Sequence, residues 1–281
     1  VGGAHRQAGV IFLNEKGIFT PSRQPALNGL AKYAEDLDAV WFDADGDADL
    51  DLLVVTGSCE FAADDTLHKD RLYLNHLKDG KPRLEAAPDG AFPFLLDNGS
   101  CVAAADYDGD GDVDLFIGSR SVPGKYPLPQ KNRLIRNDSQ EGSVKFTVVT
   151  PEALEQCGMV TDAIWADLDK DGSPDLCVAT DWGPIRIFKN TKGQLADVSK
   201  QAGTSAKTGW WRSIHATDVD GDGDLDLIAG NTGINTKYKH PNKKYPAILY
   251  YGDMDGSGIA RIVEAKIQKE KDRPLPVRGR F

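Results

Sequence analysis

What this sequence lacks already excludes several classes of protein. No apolar run comes near about 18 residues, the length that a membrane-spanning helix needs, so no membrane span is predicted. Cysteine is scarce, with 4 in 281 residues, and no two cysteines form a C-x-x-C pair. We expect Cys59, Cys101, Cys157 and Cys177 to be buried free thiols, since an unpaired cysteine behaves as a small hydrophobe. A disulfide in an oxidising compartment stays open as the alternative, because sequence alone does not give the pairing.

Positive charge is also in short supply. The chain has 33 Lys and Arg against 43 Asp and Glu, a formal net charge of -10. Such a chain repels phosphate groups, which argues against a nucleic acid as partner. Catalytic signatures are missing too: there is no G-x-S-x-G elbow, phosphate-binding loop or H-E-x-x-H, and the histidines fall at no metal-ligand spacing. We therefore expect that the chain is not an enzyme.

One aspartate-rich segment recurs four times along the chain. We number the copies loop 1 to loop 4: DADGDADLD at 43–51, DYDGDGDVD at 106–114, DLDKDGSPD at 167–175 and DVDGDGDLD at 218–226. A weaker fifth copy, DMDGSGIAR, starts at Asp253 and is loop 5. Nearly half of the acidic residues lie in loops 1 to 4, so the acidity is better explained by these loops than by a solvated acidic surface.

Apolar segments repeat in step with the loops. LLVVTG, LFIGS, LCVAT and LIAGN follow directly, and these short runs ended by turn residues predict buried strands. A second strand follows as RLYLN, NRLIRN, PIRIFKN and AILYYG, and in most repeats a turn and a third apolar segment come after it. Each unit therefore spans about 50 to 60 residues, which is the size of a propeller blade. A solenoid of β-hairpins is the structural alternative.

The acidic spacing predicts calcium. Calcium takes six to eight oxygen ligands, and carboxylates at positions 1, 3, 5 and 9 with a carbonyl at position 7 supply them, while glycine at position 6 permits the turn. Magnesium prefers to keep its waters, and zinc would need His or Cys. We expect about four structural calcium ions, held by Asp43, Asp45, Asp47, Asp49 and Asp51; Asp106, Asp108, Asp110, Asp112 and Asp114; Asp167, Asp169, Asp171, Ser173 and Asp175; Asp218, Asp220, Asp222, Asp224 and Asp226.

Two loops depart from this pattern. Loop 1 has Ala48 at the glycine position, where a left-handed conformation costs about 1 kcal/mol, so a weaker site is expected. Loop 5 offers Asp253, Asp255 and Ser257, but Arg261 stands at position 9, so only a weak metal site is predicted there. An EF-hand is excluded, because the residue at position 12 is apolar in loops 1 to 4 rather than a bidentate glutamate.

A loop followed by a strand, as in DYDGDGDVDLFIG, resembles the FG-GAP or VCBS-type repeat of calcium-binding β-propellers, including integrin α-chain propellers. The longer phrases CVAAADYDGDGDVDLFIGSRSVPGKYP and GMVTDAIWADLDKDGSPDL look more like the secreted bacterial FG-GAP proteins that often carry an ASPIC/UnbV domain. The resemblance covers nearly the whole chain. It implies an all-β propeller, a secreted, periplasmic or cell-surface location, and a part in adhesion or in contacts with an extracellular protein or glycan.

We expect a single propeller domain over residues 1–281, with blades at 38–98, 99–158, 159–207 and 208–251 and partial blades at 1–37 and 252–281. Members of the resembled family usually form a closed ring with more blades than these. The prediction is therefore an incomplete ring, a fragment of a larger propeller. A five-blade ring closed by the two partial blades is the alternative.

The expected function is a calcium-binding scaffold that presents a surface to an extracellular protein or glycan. Trp210, Trp211 and Arg212 are a possible ligand surface, since aromatic faces suit apolar and cationic contacts, although packing between blades is the preferred explanation for them. The alternative is a calcium-dependent propeller enzyme such as a polysaccharide lyase. A lyase needs a base and a charge-neutralising group in one cleft, and a cluster of free His, Lys or Arg away from the loops would favour it.

Overall fold

The computed structural model describes residues 2–78, 80–140, 142–233, 238, 242–268 and 273–277. The predicted all-β class is confirmed, since these residues form antiparallel sheets with one short helix, α1 (Glu152–Glu155), and a few 3-10 turns. The chain opens with a hairpin of β1 (Ile11–Glu15) and β2 (Ile18–Ser22). Among the described residues we find no helix with the length and hydropathy to cross a bilayer.

Two four-stranded sheets and then one six-stranded sheet follow, each built from strands consecutive in the chain, and the six-stranded sheet comprises blade 3 together with two strands of blade 4. Blade 1 is β3 (Asp36–Phe42), β4 (Asp51–Thr56), β5 (Arg71–Asn75) and β6 (Leu84–Ala86). Blade 2 is β7 (Gly99–Ala105), β8 (Asp114–Ser119), β9 (Arg133–Asn137) and β10 (Phe146–Val148). Blade 3 is β11 (Met159–Ala166), β12 (Asp175–Gly183), β13 (Arg186–Thr191) and β14 (Gln194–Asp197). Blade 4 contains β15 (Gly209–Thr217) and β16 (Asp226–Asn231).

The second strand of each of the first three blades is the apolar run that follows an acidic loop. β4 and β8 are buried along their whole length, because one face packs on the preceding element and the other on the next blade. Leu53 and Val55 of blade 1 join Leu115 and Ile117 of blade 2 in one cluster. An equivalent cluster joins blades 2 and 3, and a third joins blades 3 and 4. The core is therefore a row of layers between neighbouring blades.

The first strand of every blade contains a β-bulge at the same point. The bulged residue has no partner in the second strand, and in blades 1 to 4 it is Leu37, Ser100, Thr161 and Arg212. A bulge re-aims a side chain, and here it turns two hydroxyls toward the next blade. Ser100 Oγ donates to the Val160 carbonyl (2.8 Å), and Thr161 Oγ1 donates to the Trp211 carbonyl (2.9 Å). The bulges thus help to link blade 2 to blade 3 and blade 3 to blade 4.

The strand predicted from AILYYG does not complete blade 4. β17 (Ala247–Gly252) pairs instead with β18 (Arg261–Gln268), which pairs with β19 (Arg273–Pro276), in a separate three-stranded sheet. The corresponding strands of blades 1 to 3 carry an asparagine at or next to their last residue that binds the preceding loop, whereas β17 ends in Gly252. The described sheets do not close into a ring.

All four cysteines are free. Cys101, Cys157 and Cys177 are buried, as expected from their apolar surroundings. The prediction of burial is wrong for Cys59, which is exposed because it lies in the turn beyond the end of β4.

Candidate metal centres

Loops 1 to 4 lie at one end of the blades, because each connects the first strand of a blade to the second. Neighbouring loops are also joined across the blades. Asn190 of β13 donates from Nδ2 to the carbonyl of Tyr107 in loop 2 (2.6 Å). Asn137 of β9 approaches the carbonyl of Ala44 in loop 1 in the same way (3.4 Å). The loops therefore form a row along one end of the blades and are tied to the following blade.

The aspartate at position 1 organises each turn. In loop 2, Asp106 accepts hydrogen bonds from the backbone N–H groups of Gly109 (2.8 Å) and Gly111 (3.0 Å), one on each carboxylate oxygen. The N–H groups of the same two positions, 4 and 6, bind the first aspartate of loops 1 and 4, whereas those of positions 5 and 6 bind it in loops 3 and 5; these aspartates are Asp43, Asp218, Asp167 and Asp253. These bonds wrap the backbone around the first carboxylate and give all five loops one shape.

The predicted left-handed conformation at position 6 is confirmed, also for the alanine of loop 1. Ala48 has φ 69°, at the position where loop 2 has Gly111 with φ 99°. Sequence reasoning missed a second left-handed residue at position 4. Most loops have glycine there, but loop 3 has Lys170 with φ 59°. Loops 1 and 3 therefore each hold one non-glycine residue in a conformation that favours glycine.

The aspartate at position 9 is the buried anchor of loops 1 to 3. Asp114 is fully buried and accepts the N–H of Tyr107 (3.2 Å) on one oxygen and the N–H of Asn137 (2.8 Å) on the other. Burial raises the pKa of Asp114 to about 7, although these bonds partly oppose the rise. Burial likewise raises the pKa of Asp51 to about 6 and that of Asp175 above its usual value. In loop 4, by contrast, Asp226 is exposed.

Three carboxylates converge in each of loops 1 to 4, with oxygen atoms within 4.8 Å of one another. The structure brings together positions 1, 3 and 9 in loops 1, 2 and 4 and positions 1, 3 and 5 in loop 3: Asp43, Asp45 and Asp51; Asp106, Asp108 and Asp114; Asp167, Asp169 and Asp171; Asp218, Asp220 and Asp226. Desolvation and the neighbouring carboxylates raise the pKa of Asp45 and Asp108, because each charge is disfavoured beside the others.

The remaining predicted ligands lie outside these triads. At position 5, one oxygen accepts the backbone N–H of position 7, as Asp110 does from Asp112 (2.9 Å), so this carboxylate also shapes the turn. The same bond forms at Asp47, Asp171 and Asp222 with their partners Asp49, Ser173 and Asp224. Asp175 accepts backbone N–H groups on both oxygens, from Leu168 (3.2 Å) and Asn190 (2.8 Å), as Asp114 does in loop 2, but Asp171 rather than Asp175 completes the triad of loop 3.

Within the acidic loops that the structure describes, two carboxylate oxygens are buried without a hydrogen-bond donor, Asp49 Oδ1 and Asp108 Oδ1. A buried oxygen with no donor is costly, and a cation beside it would remove that cost. Asp108 belongs to the triad of loop 2, so its free oxygen lies among carboxylates that already repel one another. An all-oxygen donor set of this kind fits a hard divalent cation.

Three loops have a basic side chain against their carboxylates. Lys189 of β13 forms ion pairs with Asp169 and, at 3.6 Å, with Asp171 in loop 3. Lys170 pairs across to Asp224 of loop 4 (2.6 Å). In loop 5, Arg261 pairs with Asp255 (3.1 Å), which agrees with the expectation of a weak metal site. A metal in loop 3 has to displace Lys189, so this loop is the least suited of the four to hold one.

The three residues of the predicted ligand surface separate in the structure. Trp211 packs against the core between blades 3 and 4 and donates from Nε1 to the Lys207 carbonyl (3.0 Å). Trp210 and Arg212 instead reach residues at the end of the blades opposite the acidic loops. Sequence reasoning missed the partners that they meet there, and it missed Asn75, Asn137 and Asn190. The asparagines had a visible signal, since they close the second apolar run in three successive repeats.

A comparison with protein families agrees with the repeat seen here. The model of the FG-GAP-like repeat matches residues 167–229, which run from the start of loop 3 through loop 4 into β16. No curated protein matches the chain significantly. The matched segment contains two acidic loops and the strands that connect them. Residues 167–229 of this protein are thus similar to an FG-GAP-like repeat.

Proposed function

We propose that this protein is a calcium-stabilised extracellular repeat module, a scaffold for binding a protein or glycan rather than an enzyme. The observation that carries the proposal is the convergence of three aspartate carboxylates in each of four equivalent loops. The presence of an FG-GAP-like repeat supports an extracellular module of the β-propeller type. Finer features of the resembled family, such as an ASPIC/UnbV partner domain or a role in cell adhesion, are part of the same hypothesis.

Calcium acts structurally in this proposal. The metal would join the triads of loops 1 to 4, relieve the repulsion between their carboxylates and hold each turn against the two strands that it connects. Because Asn137 and Asn190 connect loops 1 and 2 to the following blades, an ordered loop would also support the packing between blades. The bound cations would offset much of the formal net charge of -10.

A secreted, periplasmic or cell-surface location follows from the strength of such sites. Extracellular calcium modules bind with Kd near 10⁻⁴ to 10⁻³ M, so at millimolar calcium each site adds on the order of 1 kcal/mol. The partner in this proposal is an extracellular protein or glycan, and not a nucleic acid.

Thermal unfolding with excess EDTA, with millimolar calcium and with millimolar magnesium tests the proposal. We expect calcium to raise the melting temperature by on the order of 10 °C, because four sites together contribute about 4 kcal/mol and 1 kcal/mol corresponds to about 2–4 °C in a chain of this size. Magnesium should give a much smaller rise, since it keeps its waters. Equal melting temperatures in calcium and in EDTA, with the metal shown to be stripped, would overturn the proposal.

A further inference from the structure

Aromatic rings cluster at the end of the blades opposite the acidic loops, where β12 of blade 3 meets β15 of blade 4. The ring of Trp210 stacks on Tyr238, with centroids 5.0 Å apart and planes at 21°. Trp182 meets the Trp210 ring edge-on at 4.7 Å and donates from Nε1 to the hydroxyl of Tyr126. Trp182, Trp210 and Tyr126 are each only partly buried.

Two arginines from different blades lie beside these rings and share one carboxylate. Arg120 follows β8 and contacts Asp181 through Nη2 at 2.6 Å, while Arg212 of β15 approaches the other oxygen of Asp181 at 3.4 Å. The Asp181 side chain is 2% exposed, whereas those of Arg120 and Arg212 are 41% and 45% exposed. The buried carboxylate therefore positions two guanidinium groups that face solvent, and one positive charge remains uncompensated within this trio.

The backbone at Trp182 is strained. Trp182 has φ 62°, a left-handed conformation that costs a bulky residue about 1–2 kcal/mol. Trp182 lies seven residues after the position-9 aspartate of loop 3, and the same place in blade 4 is taken by Gly233 with φ 61°. Blades 3 and 4 therefore share this conformation, and in blade 3 a tryptophan occupies it where glycine would be free of strain. Strain of this kind concentrates at ligand sites, which directs attention to the side chain.

We propose that Trp182, Trp210, Tyr126, Arg120 and Arg212 form a binding site for an acidic sugar, that is, a pyranose ring that bears a carboxylate. The apolar face of the ring would lie on the exposed aromatic surface, and the carboxylate would accept hydrogen bonds from the two guanidinium groups, whose planar forks match carboxylate geometry. A neutral sugar leaves the arginines unused, and a bare carboxylate leaves the rings unused. The inference rests on the proposed scaffold function, for which it names the class of glycan.

The cluster is suited to binding rather than to the chemistry of a lyase. Burial raises the pKa of Tyr126 above its usual value, so the phenol keeps its proton at neutral pH and is a poor base. Arg120 and Arg212 would neutralise a sugar carboxylate, but Trp182, Trp210 and Tyr126 supply no general base beside them, and a lyase needs both groups in one cleft.

Tryptophan fluorescence titrations with methyl β-D-glucuronide, methyl β-D-glucoside and sodium acetate test the site. In millimolar calcium we expect saturable binding of the glucuronide, at least about tenfold tighter than binding of the glucoside or of acetate, because only the glucuronide uses both halves of the site. Arg212→Gln and Trp182→Gly should each weaken binding of the glucuronide at least about tenfold. Trp182→Gly places glycine where blade 4 already has it, so its backbone should be tolerated.

Arg83→Gln is the matched control, since Arg83 is 60% exposed and pairs with Glu85 of the outer strand β6 in blade 1. It should bind the glucuronide like the wild type. Equal binding of glucuronide and glucoside, no binding by wild-type protein that melts cooperatively, or unchanged binding in both site variants would overturn the site. The effect of calcium on the melting temperature is measured on the same samples. Failure of the sugar site can therefore be distinguished from failure of the scaffold proposal.

Discussion

Replacing Asp114 by alanine is expected to remove one bound calcium ion per chain and to lower the free energy of unfolding by about 3–5 kcal/mol. Asp114 is fully buried, and its two oxygens accept the backbone N–H groups of Tyr107 and Asn137. Alanine leaves both donors unsatisfied in the core, at about 1–3 kcal/mol each, and also removes a member of the loop 2 triad. Urea unfolding in EDTA measures the loss of stability that comes from the unsatisfied donors. The additional loss in calcium measures the part that comes from the missing ion.

Asp226→Ala is the matched control, because Asp226 holds the same position in loop 4 but is exposed. It should also cost one calcium ion, yet change the stability of the metal-free protein by less than about 1 kcal/mol, since water can replace the carboxylate. If both variants lost the same free energy in EDTA, the buried position-9 aspartate would not be the anchor that we describe.

A second large effect, on the free energy of unfolding, is expected at one position that is an aspartate in blade 1 and an asparagine in blade 2. Replacing each residue by the other should change the stability in opposite directions. Asp70 directly precedes β5 and accepts the N–H of Thr56 (2.8 Å), as Asn132 directly precedes β9 and accepts the N–H of Ser119 (2.9 Å). The Asn132 amide also donates to the carbonyl of Gly158 (3.2 Å), which an ionised carboxylate cannot do. The pKa of Asp70 is raised to about 7, chiefly by burial and also by Asp97, although the N–H of Thr56 and the charge of Arg71 partly oppose the rise.

The pH dependence follows from the direction of this shift. As the pH rises, the unfolded chain loses the proton of Asp70 near pH 3.8, whereas the folded state keeps it until about pH 7. This contribution to stability is complete below about pH 4 and is lost as the pH rises through about 7. Asp70→Asn should therefore stabilise the protein by about 1–3 kcal/mol at pH 8 and by much less at pH 5.

The reciprocal variant Asn132→Asp provides the control and should destabilise the protein more at pH 8 than at pH 5. Urea unfolding of both variants and the wild type at the two pH values measures the effect. A gain for Asp70→Asn that is the same at pH 5 and pH 8 would argue that Asp70 is not protonated in the folded state.

Much of the fold could be predicted from the sequence because its signals are local. The runs after loops 1 to 3 form buried strands, since four to six apolar residues ended by a turn have few other stable arrangements. The left-handed turn at Ala48 was predictable from its place in the loop. The acidic spacing also identified the carboxylates that converge in loops 1 to 4.

Other features could not be predicted, because they depend on which blade lies beside which. The burial of Asp114 and the exposure of Asp226 arise from the neighbouring blades and not from the loop sequences, which are nearly the same. β17 pairs with β18 rather than with blade 4, and the strands concerned have similar composition, so the sequence does not indicate which pairing forms. Arg120, Asp181 and Arg212 come from different blades, so nothing in their local sequence indicates that they meet.

Counting the calcium ions bound per chain tests the central claim most directly. The measurement is equilibrium dialysis of EDTA-stripped protein against increasing free calcium, with the variant that carries asparagine at position 1 of all four loops as control: Asp43→Asn, Asp106→Asn, Asp167→Asn and Asp218→Asn. Our account predicts about four saturable sites in the wild type, one for each converging triad, and far fewer in the variant. Absence of saturable binding by folded wild-type protein, or equal binding by the variant, would contradict it.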